Sequence, residues 1–237
     1  MAIAFLFDVD GTLTPSRQMM DPKFKEWFID FASKNYVGLV TGSDYPKTEE
    51  QVGKDVCHAV GRVYNCLGSD IWSQGKNIYT NPWALPDNLH YFLLEKLFES
   101  SYLVRAGNHI EHRPGMVNFC VVGRDCTFEQ RKEYNAWDTK AGERIRIATE
   151  INAKFPDVNA QVGGEISIDI FQKGTDKAQV IDTLTDLDQY TLYYFGDRTD
   201  PTGNDFPIAQ RILNEKLGKV FTVNNWSETW DILNTLN

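Results

Sequence analysis

Short apolar runs alternate with segments of helical periodicity along most of this 237-residue chain. Runs that are apolar throughout, rather than at every second residue, are typical of strands buried on both faces of a parallel sheet. The alternation therefore predicts an α/β fold with a Rossmann-like parallel sheet. The predicted strands are 2–7, 36–41, 62–65, 190–195 and 219–223; one helix begins at Pro22 after an Asp21 N-cap, and others occupy about 46–59, 176–186, 205–216 and 227–236.

The middle of the chain follows a different pattern. After the Pro-punctuated stretch that begins at Asn81, the sequence predicts a helix at 87–99, an antiparallel hairpin, a helical region broken near Gly142, and an alternating strand, ISIDIF. We therefore expect an inserted α+β cap at 82–174 and a core formed by 1–81 and 175–237. An insert near the carboxyl ends of parallel strands is a natural lid for a ligand site.

Composition and charge exclude several classes of protein. The net charge of −9 argues against a nucleic-acid or anionic-membrane partner. No apolar run approaches the roughly 18 residues that span a bilayer, and no signal peptide is evident, so we expect a cytoplasmic protein. The four cysteines lack metal-ligand spacing and are interpreted as reduced structural thiols.

Aspartates follow two of the predicted strands. Asp8 and Asp10 end the first, and Asp197 ends the strand YTLYYF, with Asp205 at the next helix start. Turn-forming carboxylates are the simplest interpretation, and a glycosyltransferase-type DxD stays open. An EF-hand is excluded, because Leu6 and Arg17 occupy positions that need oxygen ligands. Carboxylates that converge at one sheet edge repel one another unless a cation lies among them, and Mg²⁺ fits oxygen ligands best.

Two further elements complete this sheet edge. Thr41 and Ser43 follow the second strand and offer hydroxyls and amides at a helix start, which suits a phosphate. Lys177 follows the insert and can supply a positive charge, although a single lysine is usually a solvated surface residue.

DxDGTLT, a strand-terminal hydroxyl, a lysine and GDxxxxxxND, in this order, resemble the haloacid dehalogenase (HAD) superfamily of phosphoryl-transfer enzymes. The resemblance implies that Asp8 is the nucleophile, that Asp10 is the general acid and base, and that Lys177 is catalytic. It also implies that Mg²⁺ is held by Asp8, the backbone carbonyl of Asp10 and Asp197, with Asp205 as a further candidate ligand.

The insert carries three arginines, Arg113, Arg124 and Arg131, and the last lies in the first turn of a helix with a Thr127–Gln130 capping box. They suggest a cradle for a second anion, which a simple phosphatase does not need. In ISIDIF, Ser167 and Asp169 share one face and suit sugar hydroxyls. A solvated outer face with scattered arginines would give the same pattern.

DVDGTLT-P-x-R, TGSD, EHRPGMVN, GRDC-x4-R, GGEISIDIF and GDRTDPTGND are similar to motifs of the eukaryotic-type phosphomannomutase family over nearly the whole chain. The resemblance implies a type C2b cap and an Mg²⁺-dependent isomerase of mannose metabolism that serves GDP-mannose biosynthesis. It would interconvert mannose 6-phosphate and mannose 1-phosphate, with hexose 1,6-bisphosphate as intermediate and activator. It further implies a homodimer formed through the cap, for which Leu89, Phe92, Leu93 and Leu97 are candidates, although an internal core face would give the same pattern. The implied substrate-binding residues are Arg17, Arg113, Arg124, Arg131, Ser167 and Asp169.

Three departures from the family pattern stand out. Thr41 replaces a glycine, and Asn65-Cys66-Leu67-Gly68 replaces Glu-Asn-Gly, which leaves the role of that loop open. The segment Ile208–Ile212 lacks an acidic second-cation motif, so we expect no second cation site.

Two alternatives stay open at this stage. A sugar-phosphate phosphatase would use the same Asp8 chemistry with water as the final acceptor. A non-catalytic phosphosugar-binding protein could dispense with Asp10, Lys177 or Asp197, and this chain keeps all three. The sequence does not decide between mannose and glucose.

Overall fold

The computed structural model describes residues 2–184 and 189–236. In chain order its elements are β1 (Ala2–Phe7), α1 (Pro22–Lys34), β2 (Tyr36–Val40), α2 (Tyr45–Val52), α3 (Lys54–Ala59), β3 (Arg62–Asn65), a 3-10 turn (Cys66–Gly68), β4 (Asp70–Ser73), β5 (Lys76–Thr80), α4 (Asp87–Glu99), β6 (Ile110–Arg113), β7 (Met116–Phe119), α5 (Phe128–Ala141), α6 (Glu143–Lys154), β8 (Val158–Gly163), β9 (Ser167–Gln172), α7 (Gln179–Asp182), β10 (Tyr190–Gly196), α8 (Phe206–Asn214), β11 (Gly218–Thr222) and α9 (Trp226–Leu236).

The chain divides into two compact units: a core unit of Met1–Asn81 and Thr175–Asn237, and an insert unit of Pro82–Gly174. Their roles as catalytic core and substrate-binding cap stay predictions. No helix within the described ranges has the length and apolar character needed to cross a membrane.

The core unit contains a seven-stranded sheet in the order β11-β10-β1-β2-β3-β4-β5. The first five strands are parallel, and β4 and β5 are antiparallel. Phe5 and Phe7 of β1 pack with α1, α3 and α9, whereas Ala4 and Leu6 pack with α7 and α8 on the other face. Because helices cover both faces of β1, its sequence is apolar at consecutive positions, as the α/β prediction required.

The β4–β5 hairpin is the main feature of this unit that sequence reasoning missed. Gln74 and Gly75 both have positive φ, 48° and 72°, in the two-residue turn between the strands. Two-residue hairpin turns favour Asn-Gly or Asp-Gly, so the Gln74-Gly75 turn was not recognised as a hairpin from the sequence.

Two predicted helices of the core unit were too long. The predicted helix at 46–59 is two helices, because Gly53 adopts a φ of 93° between α2 and α3 and so ends the first. The one predicted at 176–186 is the single turn α7, and its last two positions lie outside the described residues.

The insert unit is built on an antiparallel sheet in the order β6-β7-β9-β8, of which β8 was not predicted. Ile168 and Ile170 of β9 lie on the face that packs with α4, α5 and α6. Ser167 and Asp169 alternate with them and therefore lie on the opposite face. The break between α5 and α6 occurs at Gly142 in the left-handed conformation, as predicted.

The apolar face of α4 is not a free surface. Leu89, Phe92 and Leu93 are buried within the core of the insert unit, and Leu97 packs against that core. The prediction that these four side chains form a dimer surface is therefore wrong, and the internal alternative left open by the sequence applies.

Candidate active site

Asp8 lies at the carboxyl end of β1, where its backbone N–H donates to the carbonyl of Phe195 at 2.9 Å. The chain then turns at Gly11, which has a φ of +83°. A Cβ on Gly11 would lie 2.5 Å from Oδ2 of Asp197. Only glycine permits both this backbone conformation and this approach, so the glycine of DVDG brings the two acidic segments together.

Lys177 is the central cation of the core unit. Its Nζ lies 2.5 Å from Oδ1 of Asp8 and 2.6 Å from Oδ1 of Asp205, and its side chain is fully buried. Burial alone would lower the pKa of Lys177, but Asp205 and Asp8 outweigh it and raise that pKa. The lysine therefore stays charged, and it links two carboxylates from distant parts of the chain.

Asp205 is held by three donors. Besides Lys177, the Tyr194 hydroxyl donates to its Oδ1 at 2.5 Å and the Arg198 backbone N–H donates to its Oδ2 at 3.0 Å. Each carboxylate oxygen of Asp205 thus has a partner within the core unit. Asp205 therefore fixes the position of Lys177.

Asp8, Asp197 and Asp205 form a group whose oxygen ligand atoms all lie within 4.8 Å of one another. Burial raises the pKa of Asp8 well above its usual range, and Asp205 and Asp197 add to this rise against the opposing effect of Lys177. Burial, reinforced by Asp205, also raises the pKa of Asp197 to about 6. Three carboxylates around one lysine leave an excess of negative charge, and this all-oxygen set fits a hard divalent cation.

The Asp10 side chain has different partners from this group. Its Oδ1 accepts the backbone N–H of Arg17 at 2.6 Å and the side-chain amide of Gln51 at 2.9 Å. Arg17 adopts a φ of 58°, which is rare for a residue with a side chain. The Asp10 carboxylate is therefore held by Arg17 and Gln51, whereas Asp8 and Asp205 bind Lys177.

The predicted phosphate site, formed by Thr41 and Ser43, lies at the end of β2. Thr41 is buried, and its Oγ1 accepts the backbone N–H of Ser43 at 3.1 Å. Asp44 caps α2 by accepting the N–H of Lys47 at 3.1 Å. The loop therefore holds the Thr41 and Ser43 hydroxyls next to the N-terminus of α2 in the core unit.

The loop at 65–68, which departs from the family pattern, is hydrogen-bonded to this phosphate site. Cys66, Leu67 and Gly68 all have positive φ, at 49°, 63° and 97°. The N–H of Cys66 donates to the Ser43 carbonyl, and that of Leu67 to the Thr41 carbonyl, each at 2.9 Å. The strained backbone is thus hydrogen-bonded to the phosphate site, and this loop has a structural role that the sequence left open.

In the insert unit, Glu111 connects two of the predicted arginines. Its Oε1 accepts from Nε of Arg113 at 2.5 Å, and its Oε2 accepts from Nε of Arg124 at 2.9 Å. Partial burial would raise the pKa of Glu111, but the two guanidiniums outweigh it and lower that pKa. An ionised Glu111 therefore fixes both arginines by charge-assisted hydrogen bonds.

The polar face of the sheet continues from these arginines. The terminal nitrogen of Arg124 donates to the Ser167 hydroxyl at 3.2 Å. Asn118 faces Asp169 across β7 and β9 and donates to its Oδ1 at 2.6 Å. Arg113, Arg124 and Ser167 are therefore linked to Glu111 by hydrogen bonds, and Asn118, opposite Glu111 in the sheet register, continues the polar face to Asp169.

Arg131 is the third predicted arginine of the insert unit. It is largely buried near the start of α5, and its terminal nitrogen that lies 3.7 Å from a carboxylate oxygen of Glu165 has no hydrogen-bond partner among the described residues. Burial raises the pKa of the Cys120 thiol, and Arg124 and Arg131 both oppose that rise. A buried, unsatisfied guanidinium N–H is costly unless an anion binds it.

Sequence reasoning missed several residues of these sets. Glu111 and Asn118 lie within EHRPGMVN, and Glu111 precedes Arg113 by two residues, so alternation alone could have placed it on the same face. The sequence pattern does not identify Gln51 or Tyr194 as site residues. The hydrogen-bond partner of a buried polar residue can be far away in sequence, so only the folded structure reveals it.

Comparison with known proteins agrees with this geometry. The model of the eukaryotic phosphomannomutase family matches residues 24–236. Phosphomannomutase 1 of Dictyostelium discoideum is 30% identical over 239 residues, covering 98% of this chain and 95% of its own length. Human phosphomannomutase 1 is 36% identical over 216 residues, covering 86% and 81%.

A haloacid dehalogenase-like hydrolase from Bacteroides thetaiotaomicron has a similar fold, with a TM-score of 0.61 at 15% identity over 98% of this chain and 100% of its own. At that identity the likeness is one of fold alone. The family match and the relatives extend over most of the chain, and the chain belongs to the eukaryotic phosphomannomutase family, with the fold of the HAD superfamily.

Proposed function

We propose that this protein interconverts mannose 6-phosphate and mannose 1-phosphate through an aspartyl phosphate on Asp8 and a hexose 1,6-bisphosphate intermediate. The bisphosphate also serves as activator, because it supplies the first phosphoryl group. We assign catalysis to the core unit and binding of the sugar phosphate to the insert unit, which acts as the cap. We further propose that the enzyme is cytoplasmic and supplies mannose 1-phosphate for GDP-mannose biosynthesis.

In this mechanism Asp8 attacks phosphorus and Asp10 gives a proton to the departing sugar oxygen; in the second half-reaction Asp10 takes a proton from the sugar hydroxyl that attacks. Lys177 offsets the repulsion between the Asp8 carboxylate and the phosphate. Thr41 and Ser43 bind the phosphoryl oxygens. The hydrogen bond of Lys177 to Asp8, and those that Asp10 accepts from Gln51 and the Arg17 backbone, support the roles of Lys177 and Asp10.

We propose Mg²⁺ as the cation, held by Asp8, Asp197 and the backbone carbonyl of Asp10, with Asp205 fixing Lys177 instead of serving as a ligand. When bound, Mg²⁺ supplies positive charge that neutralises the phosphoryl oxygens. The buried excess of carboxylates is the feature of this chain that supports a cation here.

The mutase proposal depends on one observation: Glu111 holds Arg113 and Arg124 together by hydrogen bonds. A phosphatase needs to bind one phosphate, at Asp8, whereas a mutase must also hold the phosphate at the far end of the sugar. Arg113, Arg124 and Arg131 are assigned to that distal phosphate, with Ser167 and Asp169 on the sugar hydroxyls and Arg17 as a further contact. This is why we favour a mutase over a sugar-phosphate phosphatase.

The mutase assay uses mannose 1-phosphate, Mg²⁺ and a catalytic amount of hexose 1,6-bisphosphate. We expect mannose 6-phosphate to form with little inorganic phosphate, as measured by ³¹P NMR. In Arg124→Leu, isomerisation should fall about 10²-fold while hydrolysis of p-nitrophenyl phosphate, which lacks a distal phosphate, changes little. Arg146→Gln, at an exposed arginine of the same unit, is the matched control.

Stoichiometric phosphate release without the isomer would favour the phosphatase instead. A protein that binds the sugar phosphate but neither isomerises nor hydrolyses it would be the non-catalytic binding protein. Running the assay with glucose 1-phosphate measures the preference between the two hexoses.

A second test concerns the cation and pH. Because the pKa of Asp197 is raised to about 6, protons compete with Mg²⁺ below that pH. We expect a hundredfold excess of Mg²⁺ over its Kd to raise the Tm by about 5–10 °C near pH 7.5, and clearly less near pH 5.5. Differential scanning calorimetry measures both. An equal shift at the two pH values, or a shift that Asp197→Asn leaves unchanged, would contradict the assignment of Asp197.

For the homodimer, we propose the outer side of α4 in place of its buried face. Tyr91 and Phe98 are strongly exposed and lie seven residues apart, on one side of the helix, and Leu103 is exposed just beyond it. Exposed aromatic side chains in such an arrangement are typical of protein interfaces.

A further inference from the structure

Gln51 is a buried polar residue on the last turn of α2, and its side-chain amide reaches the Asp10 carboxylate. Nε2 of Gln51 donates to Oδ1 of Asp10 at 2.9 Å and to the hydroxyl of Thr14 at 3.4 Å. Its side-chain oxygen is buried and has no hydrogen-bond partner in the described part of the chain. Because an unpaired buried oxygen costs free energy, the amide is held here for its N–H groups.

The position of Gln51 is fixed by its helix. Thr48, one turn earlier on α2, donates from its hydroxyl to Oδ1 of the buried Asn65 at 2.8 Å. The carbonyl of Gln51 accepts the backbone N–H of Met20 at 2.8 Å, which ties the helix end to the segment that follows Asp10. Since both the helix and this segment are anchored, the amide stays directed at Asp10.

Asp10 receives a second hydrogen bond at the same oxygen. The backbone N–H of Arg17 donates to Oδ1 at 2.6 Å, so two donors from different segments converge on one atom. Two such bonds fix the plane of the carboxyl group. The proton that Asp10 transfers is then carried by Oδ2, because Oδ1 is already an acceptor of two N–H groups.

We propose that Gln51 is a positioning residue for Asp10 in proton transfer. The inference rests on the proposed role of Asp10 as general acid and base. In the step concerned, an oxygen of Asp8 forms a bond to phosphorus as the bond from phosphorus to the sugar oxygen breaks. The sugar oxygen takes the proton from Oδ2 of Asp10, which is left as a carboxylate, and the second half-reaction returns a proton from the attacking sugar hydroxyl.

Two phosphoryl donors with different leaving groups distinguish a role in proton transfer from a purely structural role. Hexose 1,6-bisphosphate releases a sugar alkoxide, which needs a proton, whereas acetyl phosphate releases acetate, which needs none. In Gln51→Met, which keeps the side-chain length without the amide, phosphorylation by the bisphosphate should slow about 10²-fold. Phosphorylation by acetyl phosphate should stay within about twofold of the wild type, because general acid catalysis does not contribute to it.

Rapid-quench measurement of phosphoenzyme formation gives both rates. Glu50→Gln, at an exposed residue of the same helix, is the matched control and should behave as the wild type. Equal losses with both donors would show a merely structural role and overturn the proposal, as would no loss with either. If Gln51→Met does not fold, Gln51→Leu applies the same test, since it also removes the amide that donates to Asp10 and should give the same selective loss.

Asp10→Asn distinguishes failure of this inference from failure of the mechanism on which it rests. It should lose the bisphosphate reaction and retain the acetyl phosphate reaction. If Asp10→Asn shows this selectivity and Gln51→Met does not, Gln51 has no positioning role. If Asp10→Asn itself shows no selectivity, Asp10 is not the general acid and the proposed mechanism is wrong.

Discussion

Replacing Asp8 by asparagine is expected to lower phosphoryl transfer by at least about 10⁴-fold, because the amide is too weak a nucleophile to form the phosphoenzyme. The fold should be retained. Asparagine has nearly the same shape, and the change removes one of three clustered carboxylates around Lys177. Acid-quenched protein incubated with ³²P-labelled hexose bisphosphate should carry label in the wild type and none in the variant.

Asp30→Asn is the control for this experiment, since Asp30 is an exposed carboxylate of α1 that pairs with Lys34 at 2.6 Å. It should incorporate label as the wild type does. Label on the Asp8→Asn protein, at a rate near that of the wild type, would show that another group is the nucleophile.

Replacing Lys177 by methionine is expected to destabilise the protein by about 3–5 kcal/mol near pH 7.5, because it leaves two buried carboxylates without their counter-charge. Asp8 and Asp205 lie 2.5 and 2.6 Å from the lysine nitrogen, and all three side chains are buried. Urea unfolding in the absence of divalent cations measures the loss. Lys47→Met, which removes an exposed ion pair with Glu50, should cost no more than about 1 kcal/mol.

The pH dependence of this loss has a definite sign. The folded-state pKa of Asp8 is raised even with Lys177 present. Without the lysine it should rise further, so the folded variant binds protons more tightly than the unfolded chain. The variant therefore gains stability as the pH falls, and its deficit should be smaller near pH 5.5 than near pH 7.5. A deficit that is small, or equal at both pH values, would show that the lysine does not compensate these carboxylates.

The fold was readable from the sequence where the signal was local. The apolar run of β1 and the Asp21 cap of α1 depend on neighbouring residues, and both form as expected. The β4–β5 hairpin was missed because Gln74 is an unusual turn residue. The single predicted helix at 46–59 was wrong because one glycine with positive φ separates two helices.

The candidate site divides in the same way. The order of DVDG, Lys177 and GDRTDPTGND along the chain identified the chemistry, because each motif follows a strand or precedes a helix. Whether a given carboxylate contacts the lysine or stands apart from it was not readable. Asp205 was a further candidate ligand; it lies in the carboxylate group with Asp8 and Asp197, and its oxygens also accept from Lys177, Tyr194 and Arg198.

By itself, the sequence determined the α/β class, the family and the residue types of the site, since hydrophobic periodicity and motif spacing are properties of nearby residues. The tertiary structure alone decided which of these residues act on one another. Lys177 reaches Asp8 across 169 residues, and Gln51 reaches Asp10 across 41. The strength of a hydrogen bond or ion pair depends on distance and burial, and for residues so far apart in sequence both are set by how the strands and helices pack.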